Sequence, residues 1–171
     1  TRARKQRAIS RLHEKRDQIM DVRAKLAEIG LSLPVAAKPV AAYVPALRTG
    51  NLVFTAGQLP LVEGKIPATG KVGGSVSVDE AKEMAKTCAL NCLAAVETVA
   101  DINKIVKVVR VVGYVNGVAG FVSQPAVING ASELFLHIWG ETGKHARSAI
   151  GVAELPLDAP VEVELTVEVA D

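Results

Sequence analysis

An arginine and a glutamate near the end of the chain are the residue types best suited to chemistry on a small anion. Arg147 lies in a run of small and apolar residues, and Glu162 lies on a following strand in which apolar and acidic residues alternate. A guanidinium is planar and can hold a carboxylate through two parallel hydrogen bonds. A lone arginine at the start of a strand, with carboxylates on the next strand, therefore indicates a site for a carboxylate ligand.

The same two residues also permit a purely structural interpretation. The pattern predicts two C-terminal strands joined by a proline-flanked turn, and strands paired in this way would allow a cross-strand salt bridge between Arg147 and Glu162. An exposed pair of this kind contributes only about 0–1 kcal/mol to stability. Sequence spacing alone does not choose between a ligand site and a salt bridge.

Other common kinds of site are absent from the sequence. The glycine-rich segment 70–74 lacks the lysine and hydroxyl residue of a phosphate-binding loop, and no H-E-x-x-H pattern occurs. Cys88 and Cys92 are four residues apart in a predicted helix, where they are poor disulfide partners, so we interpret them as core residues in a reducing compartment. His145 is near enough to Arg147 to border a site, whereas His137 is interpreted as a packed or surface residue. We expect no metal and no cofactor.

Composition and charge indicate one aliphatic domain. A chain of 171 residues is long enough to bury a core, and its residues are 49% apolar but only 4% aromatic. Residues 1–16 carry seven basic side chains and one glutamate, so residues 17–171 balance at −4 although the whole chain is +2. An acidic body with few aromatic side chains is not the surface of a nucleic-acid-binding domain. We therefore expect no specific nucleic-acid partner.

The basic arm, residues 1–16, has several interpretations. It is rich in arginine and nearly free of acidic residues, which weakly resembles a mitochondrial transit segment, but we favour a solvated helix or a cloning remnant. No apolar run approaches the length of a membrane span, and the first residues are polar rather than apolar as in a secretory signal. The expectation is a cytoplasmic protein without a membrane partner, with a mitochondrial location as the alternative.

Periodicity and turn signals predict the order helix, then ββαβαββ. The predicted elements are a helix over 4–29, strands over 40–47 and 52–59, a helix over 77–100, a strand over 105–115, a helix over 125–139 and the two C-terminal strands. We divide the chain into a basic N-terminal helix and connector, 1–38, and an α+β domain, 39–171. The fold class is α+β, with a mixed sheet and two helices on one face.

The other face of this sheet has no helix to cover it. Alternation in the strands leaves that face partly apolar and partly acidic, and a monomer would expose it to water. Association of several copies through this face is the natural remedy. The sequence therefore predicts an oligomer.

Five short segments carry a resemblance to a known family. ARSAIGVAELP at 146–156 is followed by PVEVE at 160–164, and TAGQLP occurs at 55–60. YVP occurs at 43–45, and a predicted helix contains VIN at 127–129. Taken in their order along the chain, from about residue 39 to 169, the segments resemble those of the reactive-intermediate deaminase (Rid) family, also called the YjgF or endoribonuclease L-PSP family.

The resemblance implies a chorismate-mutase-like fold assembled as a homotrimer, with sites in clefts between subunits. It implies hydrolysis of enamines and imines of the 2-aminoacrylate type to 2-ketoacids and ammonia, without cofactor or metal. The ligand would be a small imine or ketoacid that bears a carboxylate. By the same resemblance, Arg147 holds that carboxylate and Glu162 helps to hold the reacting water. The residues implied to bind substrate are Tyr43, which lines the cleft, Gly57 and Ala149, which offer backbone groups, and Asn129.

Two departures from the family pattern keep other functions open. Ala56 stands where many deaminating members have serine, and Ala149 replaces a frequent cysteine. The N-terminal helix and the longer connection over 113–124 also suit a longer branch of the family. The alternatives are a trimeric carboxylate-binding or regulatory protein that turns nothing over and, with less support because the body is acidic, a ribonuclease or translation inhibitor.

Overall fold

The computed structural model describes residues 20–38 and 42–171. The predicted order of elements is confirmed in these residues. The helices are α1 (Val22–Ala27), α2 (Val78–Glu97) and α3 (Gln124–Trp139), and the strands are β1 (Ala46–Thr49), β2 (Leu52–Thr55), β3 (Ile105–Asn116), β4 (Ala146–Val152) and β5 (Val161–Val169). Of the helix predicted over 4–29, the part over 4–19 lies outside the described residues. β1 and β2 are shorter than predicted.

Local signals set the ends of the helices. Ser77 accepts a hydrogen bond from the backbone of Glu80, whose side chain accepts one from the backbone of Ser77, so the predicted capping box opens α2. Gly30 follows α1 with a φ of +71°, a left-handed conformation that favours glycine. Cys88 and Cys92 are buried in α2 as free thiols, as predicted.

The sheet has the order β1-β2-β5-β3-β4. β3 pairs with β4 in parallel, and the other pairs are antiparallel. The predicted C-terminal hairpin is therefore wrong, because β3 lies between β4 and β5. The prediction paired β4 with β5 because they follow one another in the sequence, but the connection between them crosses over β3.

Both long helices cover one face of this sheet. The odd-numbered residues of β5 are buried under α2, and α3 packs on β3 and β4. The even-numbered residues of β5, including Glu162 and Glu164, are only half-buried on the other face. On β3, Val111 and Val115 face the helices, whereas Tyr114 lies on the open face. The predicted arrangement of two helices on one side of a mixed sheet is confirmed.

The helical layer is tightly built. A Cβ added at Gly130 of α3 would lie 1.9 Å from the carbonyl oxygen of Lys82, so a glycine is needed where α3 meets α2. Val22 and Leu26 of α1 are fully buried in the same core, and Nε2 of His137 lies 2.9 Å from the carbonyl of Lys25. The division of the chain into two parts at residue 38 stays a prediction.

None of the helices in the described ranges is long and apolar enough to cross a membrane.

Candidate functional site

Arg147 is held by two side chains of α3. Its Nη1 donates to Oδ1 of Asn129 at 2.8 Å and to Oγ of Ser132 at 3.2 Å. The two acceptors are three residues apart, on one face of the helix. Because both hydrogens of Nη1 are used in this way, the orientation of the guanidinium is set by α3.

The strand register explains why Arg147 faces the helices. Arg147 pairs with Val111 on β3, and Val111 pairs with Leu165 on β5. Val111 and Leu165 are buried under the helices, so the half-buried Arg147 lies on the same side of the sheet. In residues 20–38 and 42–171, Nε and Nη2 of Arg147 have no hydrogen-bond partner. This edge of the guanidinium has the fork geometry that a carboxylate fits.

The proposed salt bridge between Arg147 and Glu162 does not form within the chain. The two residues lie on strands separated by β3 and on opposite faces of the sheet. Arg147 makes no ion pair in the described part of the chain; its partners are the neutral side chains of Asn129 and Ser132. The structural interpretation of this pair is therefore wrong.

Glu162 forms the centre of a second group on the open face. Burial raises the pKa of its carboxyl group, and the neighbouring charge of Glu164 raises it further. The segment at Gln58 pairs with Val163 through two backbone hydrogen bonds of 2.8 and 3.1 Å, which brings Gly57 against Glu162. A Cβ at Gly57 would lie 1.9 Å from Oε1 of Glu162, so only glycine leaves the carboxylate where it is.

Tyr114 and Glu164 complete this second group, and no sequence pattern pointed to Tyr114. The hydroxyl of Tyr114 donates to Oε1 of Glu164. That hydrogen bond, together with burial and the charges of Glu164 and Glu162, raises the pKa of Tyr114 to about 12. The cross-strand register that brings Tyr114 opposite Glu162 could not be read from either strand alone.

Tyr43 and Ala149 belong to different groups. The side chain of Tyr43 is 54% exposed, and the chain near it is tied to the Gly57 segment by a 2.9 Å hydrogen bond from Ala56 to the carbonyl of Pro45. Ala149 is half-buried, two residues from Arg147 on β4, and packs against the core on the helix side. The chain at Tyr43 is thus connected through Pro45 and Ala56 to the segment that meets Glu162, and Ala149 is beside Arg147.

The residues predicted to form the site thus lie in two groups within one chain. Arg147, Asn129 and Ala149 lie at the helix side of β4, whereas Glu162 lies on the open face with Gly57 against it. Ser132 was missed, although its place three residues after Asn129 is a signal that both residues share one helix face.

Metal and thiol chemistry find no support in the described ranges. No cluster of three or more histidine, cysteine, aspartate or glutamate side chains is placed to hold a metal ion there. Burial raises the pKa of Cys92 to about 12 and that of Cys88 well above its usual value, so both thiols stay protonated.

Comparisons with known proteins agree with this architecture. Residues 23–169 match the family described as "YjgF/chorismate_mutase-like, putative endoribonuclease". Protein TCP17 of Trypanosoma cruzi is 39% identical over 149 residues, which span 86% of this chain and 93% of the relative. A 2-iminobutanoate/2-iminopropanoate deaminase of Dermatophagoides farinae is 32% identical over 135 residues, 78% of this chain and 91% of that protein.

A solved structure shows the same fold. The crystal structure of Atu1372, a protein of unknown function from Agrobacterium tumefaciens, superimposes with a TM-score of 0.80 at 45% identity, covering 87% of this chain and 92% of that one. The family match spans most of the chain, and the layered α+β architecture is common to both structures. The chain therefore belongs to the YjgF family and has its chorismate-mutase-like fold.

Proposed function

We propose that this protein hydrolyses enamine and imine intermediates of the 2-aminoacrylate type to 2-ketoacids and ammonia. An enamine first becomes the imine, as its terminal carbon gains a proton and its nitrogen loses one. Water then adds to the carbon of the C=N bond, and the resulting tetrahedral adduct loses ammonia to leave a C=O bond. Free imines hydrolyse in water, so the protein needs only to position the substrate and a water molecule and to supply a proton. The named deaminase among its relatives supports this reaction class.

The observation that carries the proposal is the open edge of Arg147. Asn129 and Ser132 hold Nη1, and no other group in the described residues takes up Nε or Nη2, which form a matched pair of donors. A 2-iminoacid bears its carboxylate next to the reacting carbon, so an arginine fork orients that carbon as well as binding the molecule. Glu162 is suited to hold the water, because a carboxyl group with a raised pKa exchanges protons more readily near neutral pH.

A complete site then needs two chains, because Arg147 and Glu162 lie on opposite faces of one sheet. If the open face of one subunit packs beside β4 of the next, Glu162 of one copy can approach Arg147 of another. Three copies related by a threefold axis would repeat this contact without leaving an unpaired face. The proposed assembly is a homotrimer with the substrate between subunits.

If the proposed assembly is correct, the protein should be a stable trimer in solution at micromolar concentration. Ile150 lies on the open face with 46% of its surface exposed, so Ile150→Glu is expected to dissociate the trimer by placing a charge in the contact. Val122→Glu is the control, since Val122 is 81% exposed on a connecting loop. Analytical sedimentation measures both. A stable monomer of the wild-type protein would contradict the trimer and the site between subunits.

The activity is tested by the release of ammonia and ketoacid from a freshly generated 2-iminoacid. The expected result is release well above the uncatalysed background. Ala56 favours the alternative of a binding protein, since it lacks the serine hydroxyl that many deaminating members carry at this position. Tight binding of 2-ketobutyrate without release above background would establish that alternative.

A ribonuclease role would require specific binding of RNA, which we do not expect. Positive charge is concentrated in residues 1–16, and residues 17–171 balance at −4, so RNA binding is expected to be weak, sensitive to salt and lost when residues 1–16 are removed. Filter binding at several salt concentrations, with and without the arm, measures this. Sequence-specific cleavage by the protein without the arm would overturn the expectation.

A further inference from the structure

A chain of hydrogen bonds leads from Arg147 into the protein. Nη1 of Arg147 donates to Oγ of Ser132 at 3.2 Å, Oγ of Ser132 lies 2.9 Å from Nε2 of His145, and Nδ1 of His145 lies 2.6 Å from the carbonyl oxygen of Gly143. A carbonyl oxygen can only accept, so Nδ1 carries the hydrogen of the neutral ring. Nε2 then accepts the hydroxyl hydrogen of Ser132. Every link therefore donates in the same direction, away from Arg147.

The surroundings of His145 keep its ring neutral and in place. Burial lowers the pKa of His145, and the charge of Arg147 lowers it too, against the opposing effect of the Gly143 hydrogen bond. The ring of Phe135 meets the imidazole edge-on, with centroids 6.0 Å apart and planes 87° apart. The neutral ring with its hydrogen on Nδ1 is the form that the chain of hydrogen bonds requires.

This direction matters because Ser132 has a single hydrogen. When His145 accepts that hydrogen, the lone pairs of the Ser132 oxygen are left to receive Nη1 of Arg147. Without an acceptor at position 145, the hydroxyl can turn to the carbonyl four residues earlier in its own helix. Ser132 would then hold the guanidinium less well, and Asn129 alone would orient it.

We propose that His145 is a positioning residue, which acts through Ser132 to orient the guanidinium of Arg147 for a carboxylate ligand. The inference rests on the proposed function, since it takes a carboxylate as the ligand of Arg147. His145 itself touches Ser132 and the backbone, not the ligand. Its effect on binding must therefore pass through Arg147.

The test measures 2-ketobutyrate affinity by calorimetry for the full-length protein and its variants. Ser132→Ala and His145→Phe are each expected to weaken binding about tenfold, because a hydrogen bond to a charged group is disturbed. His145→Gln is expected to restore most of the affinity, since its side-chain carbonyl can accept the Ser132 hydrogen. His137→Phe is the matched control, because His137 is another half-buried histidine bonded to a backbone carbonyl, that of Lys25. This variant should bind 2-ketobutyrate as tightly as the wild type does.

A second measurement does not depend on the ligand. A guanidinium held at Nη1 rotates slowly, so side-chain nitrogen NMR should resolve separate η signals for Arg147 in the wild type and merge them in His145→Phe. If the wild type fails to bind 2-ketobutyrate, the proposed function fails, and these signals alone decide the role of His145. Resolved signals with unchanged affinity in His145→Phe would overturn the inference. The inference would also be overturned if His145→Phe weakened binding as much in the Arg147→Ala variant as it does in the wild type, because the effect would then not pass through Arg147.

Discussion

Replacing Arg147 with alanine is expected to lower kcat/KM for 2-iminobutanoate about 30-fold or more. The loss of one partner from a desolvated charge pair costs about 2–5 kcal/mol, and the substrate carboxylate would be that partner. Arg147→Lys should recover only part of the rate, because an ammonium has no planar fork. The melting temperature should change little, since Arg147 has no ion pair among the described residues and its main partner is the ligand.

The control is Arg48→Ala. Arg48 is exposed on β1, and within residues 20–38 and 42–171 its side chain donates only to the carbonyl of Gly50, at 3.0 Å, so its removal should leave the rate unchanged. Release of ketoacid and binding of 2-ketobutyrate or benzoate are measured beside thermal melts. Unchanged ligand affinity in Arg147→Ala would refute the assignment of this residue, whatever the family.

The second large effect is expected at Glu162. Glu162→Gln keeps the shape of the side chain but cannot take up a proton, and kcat should fall about 100-fold or more, in the range of general acid–base catalysis. Gly57→Ala should act through the same carboxylate, because the added Cβ would lie 1.9 Å from Oε1 of Glu162 and must displace it. Glu168→Gln, on the same strand and face, is the matched control.

The raised pKa of Glu162 makes this prediction sharper. A base is active when deprotonated, so the rate should rise with pH through a pKa above the usual range for glutamate, and Glu162→Gln should remove this limb. Stability has the opposite dependence. The folded protein holds this proton more tightly than the unfolded chain, so stability is lost as pH rises from the unfolded pKa through the folded one.

Glu162→Gln should therefore raise the melting temperature at neutral pH while it lowers kcat. A loss of activity together with a lowered melting temperature would instead mark Glu162 as a structural residue. Melts and rates measured on the same samples across the pH range separate the two results.

The site could be predicted only in part. The family resemblance implied that Arg147 and Asn129 both belong to the site, but it did not predict a contact between them, and the structure has the two side chains 2.8 Å apart. Ser132 was not expected, although helical periodicity places it beside Asn129. Tyr114 could not be expected at all, because its contact with Glu164 depends on which residues of β3 and β5 lie opposite each other.

Local pattern by itself determined the elements, their order and their buried faces, since periodicity and capping signals such as Ser77 with Glu80 act within a few residues. Only the tertiary structure decided which strands are neighbours. Alternation states which side of a strand is apolar, but any strand with an apolar side can pair with any other. The position of β3 between β4 and β5 put Arg147 and Glu162 on strands that do not touch and on opposite faces. That placement depends on how the whole sheet packs against two helices, a condition on the whole chain that no short segment carries.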